Sequence, residues 1–232
     1  MDLADIISGD QRLAVVRQPI AHDSAVKHVT GQAAYIDDMR EPTGTLHLAP
    51  GYAPIAAGRV TALDLEPILK APGVVAVLTA EDIPGHNDIS PKEVGDDPAI
   101  TPERVNFYGQ VLFCVIAETR MEARRAVKLA RIATAPSMPV IDVDDALVAN
   151  TTVLPEYAFV RGDPIVEIPQ APREITGEFR IGGQEHFYLE GQIALAIPGE
   201  DGDMYVHSST QHPTEVQHVV AHALAVHDNA VT

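Results

Sequence analysis

The chain has 232 residues, of which 46% are hydrophobic and 21% are charged, a composition typical of a folded globular protein. Its 16 Lys+Arg and 33 Asp+Glu give a formal net charge of −17, which disfavours binding to the phosphate backbone of nucleic acids. No stretch reaches 18 apolar residues, and the single cysteine, Cys114, excludes an internal disulfide or a cysteine-rich zinc site. We therefore expect a cytoplasmic protein that binds neither nucleic acid nor membrane.

The first half of the chain alternates strand and helix patterns after a predicted N-terminal tail at residues 1–22. Short apolar runs rich in β-branched residues predict strands at 45–48, 57–63, 74–79 and 111–117. A short helix is expected at 64–70, and the segment 87–102, rich in Asp, Gly and Pro, predicts an exposed loop. Cys114 falls in the most apolar of these strands, where a thiol is expected to be inert.

A helix is predicted immediately after that strand, over residues 119–131. Thr119 and Glu122 have the spacing of a capping box, and small apolar residues recur on one face. The other face is cationic, with Arg120, Arg124, Arg125, Lys128 and Arg131. This face is interpreted either as a solvated outer surface or as a docking surface for an acidic partner.

The second half begins with a short helix expected at 142–148 and a proline-rich segment at 151–172, interpreted as a linker or an extended crossing. Strands are predicted at 175–180, 191–197 and 204–209. Pro213 suits the first position of a helix that ends near residue 227. A further strand is expected to start at 230–232.

Histidines raise the question of a metal site, because five of the ten lie in the last 26 residues. His218 and His222 are four residues apart on the predicted helix and could share one metal ion. They lie opposite the apolar stripe, and no third ligand is fixed by spacing, so no native metal site is predicted. The acidic pairs are interpreted as solvated turn residues: Asp37-Asp38, Asp96-Asp97 and Asp144-Asp145.

The segment Gly182-Gly-Gln-Glu-His-Phe-Tyr-Leu-Glu190 is dense in polar and aromatic residues between two predicted strands. Paired glycines permit positive φ and close approach of another group, and the Gln184 amide can both donate and accept hydrogen bonds. The pattern fits either a bulged hairpin or the wall of a cofactor pocket.

This segment resembles a signature of the molybdenum hydroxylase family, and in particular of the molybdenum-binding subunit of its bacterial xanthine dehydrogenase members. Other stretches are similar to the same family: His22-Asp-Ser-Ala-Val-Lys-His-Val-Thr-Gly31, Tyr35-Ile-Asp-Asp38, Ala71-Pro-Gly-Val-Val-Ala-Val-Leu-Thr-Ala-Glu-Asp-Ile-Pro-Gly85, Tyr108-Gly-Gln-Val111 through Ala117-Glu-Thr119 with the helix that follows, and Ser208-Ser-Thr-Gln-His-Pro213. The resemblance extends from about residue 18 to the end of the sequence.

The resemblance implies a mixed α+β fold. It predicts a hammerhead domain at 23–138, a linker at 139–172 and the start of a molybdopterin-binding domain at 173–232. In this family the corresponding glutamine hydrogen-bonds an oxygen ligand of molybdenum, a role that maps to Gln184 beside Gly182 and Gly183. The implied reaction is hydroxylation of hypoxanthine or xanthine with water as the oxygen source. Electrons leave through 2Fe-2S clusters and FAD in partner domains or subunits.

The family subunit is several times longer, and its general base is expected beyond Thr232. The resemblance therefore implies no catalytic residue in this chain, which is expected to be inactive and free of cofactor when isolated. Two alternatives remain: the same portion of an aldehyde oxidase-like enzyme, or a non-catalytic module that binds the FAD or iron–sulfur partner. Homo-oligomers could form through exposed strands.

Overall fold

A computed structural model describes residues 14–16, 18–90, 95–152 and 155–232; most of the predicted N-terminal tail lies outside these ranges. The described residues form a mixed α+β structure. Its helices are α1 (Ala25–Thr30), α2 (Glu66–Leu69), α3 (Arg120–Ala126), α4 (Val143–Ala149), α5 (Pro164–Gln170) and α6 (Pro213–Leu224). Its strands are β1 (His47–Tyr52), β2 (Gly58–Asp64), β3 (Val74–Leu78), β4 (Arg104–Val105), β5 (Val111–Ala117), β6 (Arg131–Pro136), β7 (Ala194–Pro198) and β8 (Met204–Ser208).

The first sheet has the order β1-β5-β3, with both pairs antiparallel. The apolar strand β5 lies in the centre, as its composition predicted, and Phe113 and Val115 on it have no exposed surface. Gly51 of β1 is the register partner of Phe113. A Cβ on Gly51 would lie 2.1 Å from the Phe113 ring, so the ring occupies the space that only glycine leaves there.

A second antiparallel sheet has the order β4-β2-β6. The main apolar core joins the two sheets to α2 and α3, and its buried members are Ala53, Ile68, Val105, Leu112, Phe113, Val115 and Ala126. Helix α3 begins as the capping box predicted: the Thr119 hydroxyl accepts from the Glu122 N–H at 3.2 Å and donates to its carboxylate at 2.7 Å. Its small face, Ala123 and Ala126, is buried, which permits close packing on the first sheet.

The loop after β3 is more enclosed than the sequence predicted. Its first turn, Ala80–Asp82, is closed by Asp82, whose pKa is lowered by hydrogen bonds from the Thr79 backbone and hydroxyl. Further along, Ser90 and Thr101 are buried. The prediction of an exposed loop at 87–102 is therefore wrong at these positions. The Thr101 N–H donates to the Val111 carbonyl oxygen at 2.7 Å, which ties this end of the loop to β5.

Residues 139–172 contain two helices, α4 and α5. Helix α4 matches the prediction. Helix α5 lies in the segment interpreted as a linker or an extended crossing, so the extended alternative is wrong at Pro164–Gln170. The Asp163 side chain accepts from the N–H groups of Ile165 and Val166, and Pro164 presets the first helical φ, so one capped turn forms despite the neighbouring prolines.

The last part of the chain contains the β7-β8 hairpin and helix α6, both close to their predicted positions. The expected final strand is a single parallel bridge between Met204 and Val231. The strand predicted at 175–180 is wrong: these residues are exposed and pair with no strand in the described structure. Among the described helices, none is both long and apolar enough to cross a membrane.

Candidate functional site

The segment from Gly182 to Glu190 runs along the surface without regular structure. Residues 181–189 are all exposed, including Gln184. The bulged-hairpin alternative is therefore wrong, since the hairpin of this region lies further along, at β7 and β8. What remains is a polar and aromatic segment whose side chains are accessible to another group.

The two glycines of the segment leave open space around the backbone. A Cβ built on Gly182 or Gly183 would meet nothing within 4 Å, and neither has a positive φ. The paired glycines permit a positive φ but do not adopt one, whereas Phe187 does, at φ 51°. The Phe187 N–H donates to the Glu185 carboxylate at 3.2 Å, which closes this turn.

Glu190 anchors the end of the segment to a distant part of the chain. Its Oε1 accepts from the Ile36 N–H at 3.0 Å, and both residues are half-buried. The backbone around Ile36 is itself fixed, because the Tyr35 N–H donates to the Asp38 carboxylate at 3.0 Å. The stretches Tyr35–Asp38 and Gly182–Glu190 both resemble the same family in sequence, but the sequence did not predict that they contact each other.

The residues at Gly182–Gln184 fit the edge of a cofactor site in their chemistry. The Gln184 amide offers a donor and an acceptor, and the adjacent backbone is unobstructed, so a bulky polar group can approach both. A molybdenum cofactor bound here would supply redox chemistry at its metal, and the Gln184 amide would be its hydrogen-bond partner.

Cys114 lies in the buried centre of β5, as predicted for an inert thiol. Burial raises the pKa of this thiol to about 11. At neutral pH it is therefore protonated and unsuited to act as a nucleophile or a metal ligand.

The two helical histidines have a third neighbour that sequence spacing did not reveal. His218 Nδ1 lies 2.8 Å from Asp228 Oδ2, and His222 Nε2 lies 3.9 Å from Asp228 Oδ1. One ligand atom from each of the three residues lies within 4.8 Å of the others. The chain reverses at Ala225, which adopts the left-handed conformation, and this reversal brings Asp228 back beside the helix.

The loop after β3 contacts the same end of helix α6. The N–H groups of Gly85 and His86 donate to the carbonyl oxygens of Ala223 and His222, at 3.0 and 2.9 Å. A Cβ on Gly85 would lie 1.9 Å from the His222 oxygen, so glycine is required for this approach. The His86 and His222 rings lie 6.1 Å apart.

The cationic surface of α3 is partly paired within the chain. On α3, Arg120 lies 3.4 Å from Glu41 and 4.0 Å from Asp37. Arg131, predicted on the same helix, is instead the first residue of β6 and lies 3.5 Å from Asp64. Asp37 and Asp38 lie in a short helical turn that Asp38 closes. The prediction of a turn is wrong for Asp144 and Asp145, which lie in the first turn of α4. Asp144, in the first turn of α4, also bonds Arg180 at 2.8 Å.

Two family models match the chain. Residues 30–136 match the a/b hammerhead domain of aldehyde oxidase and xanthine dehydrogenase, and residues 148–232 match the molybdopterin cofactor-binding domain. Among curated relatives, a xanthine dehydrogenase of Dictyostelium discoideum is 36% identical over 93% of this chain, and aldehyde oxidase 4 of Mus musculus is 38% identical over 91%. The chain spans 16% of the length of each.

Solved structures agree with this assignment. An aldehyde oxidoreductase from Desulfovibrio gigas superposes with a TM-score of 0.76 at 26% identity, over 90% of this chain and 25% of its own. A quinoline 2-oxidoreductase from Pseudomonas putida 86 shares the fold, with a TM-score of 0.75 at 20% identity, over 91% of this chain and 29% of its own. The chain therefore belongs to the molybdenum hydroxylase family, of which it carries hammerhead and molybdopterin cofactor-binding sequence.

Proposed function

We propose that this chain forms one wall of the molybdenum-cofactor site in an enzyme that hydroxylates hypoxanthine or xanthine, with water as the oxygen source. The observation that supports this most directly is the open segment at Gly182–Gln184, which lies within the match to the molybdopterin cofactor-binding domain. Gln184 holds an oxygen ligand of the metal through its amide, while Gly182 and Gly183 let the cofactor approach the backbone. Electrons then pass to 2Fe-2S clusters and FAD in partner domains or subunits.

The isolated chain is inactive under this proposal. A general base must reach the proton that it removes, and the base implied by the family lies outside these 232 residues. A cofactor contacted from one side also loses most of its binding energy. Molybdenum analysis of the purified chain, together with a xanthine oxidation assay, is expected to find neither metal nor turnover; xanthine hydroxylation by the chain alone would contradict the proposal.

The assembled enzyme provides the positive test. In an enzyme containing this chain together with the remainder of the molybdenum-binding subunit and its electron-transfer partners, Gln184→Ala should lower xanthine turnover by about tenfold or more, the usual cost of removing a group that hydrogen-bonds a ligand of a metal. The matched control is Glu185→Gln, an exposed neighbour that should leave turnover unchanged. Equal activity of Gln184→Ala and the parent enzyme would remove Gln184 from the site.

A second substrate class has support of equal weight. The mouse aldehyde oxidase 4 is as similar to the chain as the xanthine dehydrogenase is, at 38% and 36% identity. Comparison of xanthine with an aromatic aldehyde on the same assembled enzyme separates the two. A preference for the aldehyde would assign the chain to an aldehyde oxidase-like enzyme and leave the proposed role of Gln184 intact.

Exposed apolar residues favour a further role, as an assembly module for the FAD or iron–sulfur partner. Several large side chains between residues 157 and 189 are more than four-fifths exposed: Tyr157, Phe159, Ile165, Ile175, Phe179, Ile181, Phe187 and Leu189. Co-purification of the chain with these partners, abolished by Phe179→Asp but not by Arg125→Asp, would support assembly through this surface. Loss only with Arg125→Asp would assign the contact to the cationic face of α3.

A further inference from the structure

We propose that His218, His222 and Asp228 form a zinc site at the C-terminal end of helix α6, separate from the cofactor segment. Two imidazoles and one carboxylate offer the nitrogen and oxygen donors that Zn²⁺ accepts, with a remaining position for water. The spacing of residues in the sequence predicted no third ligand, and the fold supplies Asp228 as that ligand.

The distances suit a single ion. One ligand atom from each residue lies within 4.8 Å of the others, and tetrahedral zinc at roughly 2.0–2.2 Å from its ligands holds them about 3.3–3.6 Å apart. His218 and His222 follow the four-residue helical spacing, so both rings project from one side of α6. Small side-chain adjustments would therefore bring the three donors onto one ion.

The backbone that carries the third ligand is fixed. The Gln217 amide donates to the carbonyl oxygens of Asp228 and Val231, at 3.1 and 2.6 Å. The Thr232 N–H donates to the Met204 carbonyl at 2.9 Å, which ties this end of the described chain to β8. Asp228 is thus held beside the helix before any ion binds, so binding orders few additional residues.

The donor set selects among cations. Imidazole ligands favour Zn²⁺, Ni²⁺ and Cu²⁺, whereas Mg²⁺ and Ca²⁺ prefer sites built entirely of oxygen donors. The site also lies where the loop carrying Gly85 and His86 bonds to α6. A bound zinc ion would link the helix end, the Asp228 turn and, through His222, this contact to the preceding domain.

The test uses the tag-free 232-residue chain, stripped with a chelator and titrated with Zn²⁺ against a chromophoric competitor. We expect one Zn²⁺ per chain, and we expect His218→Gln and His222→Gln each to weaken binding by about tenfold or more, since even residues outside the ligand shell contribute that much. His207→Gln is the matched control, because His207 is an exposed histidine on β8 outside the cluster, and it should bind as the parent does.

A thermal unfolding measurement shows whether each variant is folded, so that a loss of zinc binding is not mistaken for misfolding. Zn²⁺ should raise the unfolding midpoint of the parent chain and of His207→Gln, but not of the His218→Gln/His222→Gln double variant. If the parent binds no zinc, the three residues form only a hydrogen-bonded cluster and the proposal fails. It fails equally if the folded double variant retains the parent affinity, because the ion would then be bound adventitiously by other histidines.

Discussion

The Ile36 N–H donates to the Glu190 carboxylate across 154 residues of sequence, with 3.0 Å between nitrogen and Oε1. This bond joins the stretch Tyr35–Asp38 to the end of the candidate cofactor segment. Because Glu190 is half-buried while residues 181–189 are exposed, it fixes the end of a segment that few other contacts hold.

Glu190→Ala should therefore release the segment at this point. A hydrogen bond to a charged acceptor contributes about 1.5–3 kcal/mol when well formed, and the half-exposed setting reduces that to about 1 kcal/mol. Hydrogen exchange at the Ile36 amide should accelerate severalfold. Glu185→Ala removes a nearby carboxylate that bonds within its own turn and should leave this amide unchanged; similar acceleration in both variants would contradict the anchoring role.

Gly85→Ala should separate the loop after β3 from helix α6. The new methyl group would overlap a backbone oxygen that cannot rotate away, so the loop must move and lose the bonds from Gly85 and His86. Overpacking of this kind costs about 1–3 kcal/mol. The measurements are hydrogen exchange at the His86 amide and the unfolding free energy in urea.

Gly191→Ala is the control for this change, since a Cβ there meets nothing within 4 Å. It should leave both measurements as they are in the parent chain. Unchanged protection of the His86 amide in Gly85→Ala would show that the loop does not dock on α6 in solution.

Gly51→Ala tests the centre of the first sheet. The Phe113 ring has no exposed surface and lies where the added methyl group would go, so either the ring or strand β1 must shift. We expect a loss of about 1–3 kcal/mol in the free energy of unfolding, measured by urea titration. Gly182→Ala, in open space, should be neutral, and equal stability of the two variants would exclude the packing described for Gly51.

Local patterns in the sequence were sufficient to predict many of the helices and strands. Strand β5 followed from its seven apolar residues, and the start of α3 followed from Thr119 and Glu122, because these signals act within a few residues. The strand predicted at 175–180 failed because β structure needs a partner, and the described residues provide none there. Periodicity alone does not report the presence of that partner.

The candidate sites show the same difference between signals from residues close in sequence and contacts that only the tertiary fold creates. The backbone at Gly182 is open, and the role that the family resemblance assigned to this segment stays a prediction. Asp228 was not associated with His218 because its approach depends on a left-handed residue, Ala225, and alanine carries no sequence signal for that conformation. Similarly, no local pattern connects Glu190 with Ile36, since only the tertiary fold brings them together.

Thr119→Ala should destabilise the chain by about 1 kcal/mol, because the hydroxyl that accepts from the Glu122 N–H is lost at the start of α3. Thr119→Ser retains the hydroxyl and should recover most of that stability. The free energy of unfolding of the two variants, measured in urea, checks this. If serine destabilised the chain as much as alanine, the effect would come from the lost methyl group rather than from capping.

Cys114 gives a pH dependence with a definite sign. The buried thiol titrates at about 11, above its ordinary value of 9.0, so the folded state retains a proton that the unfolded chain has already released. The stabilisation is complete below about pH 9 and is lost as the pH rises towards 11. Urea titrations at pH 8, 9 and 10 should therefore show stability falling over this range, and the fall should be shallower in Cys114→Ala, which has no thiol to titrate. Parallel slopes in the two proteins would show that the thiol is not held protonated by the fold.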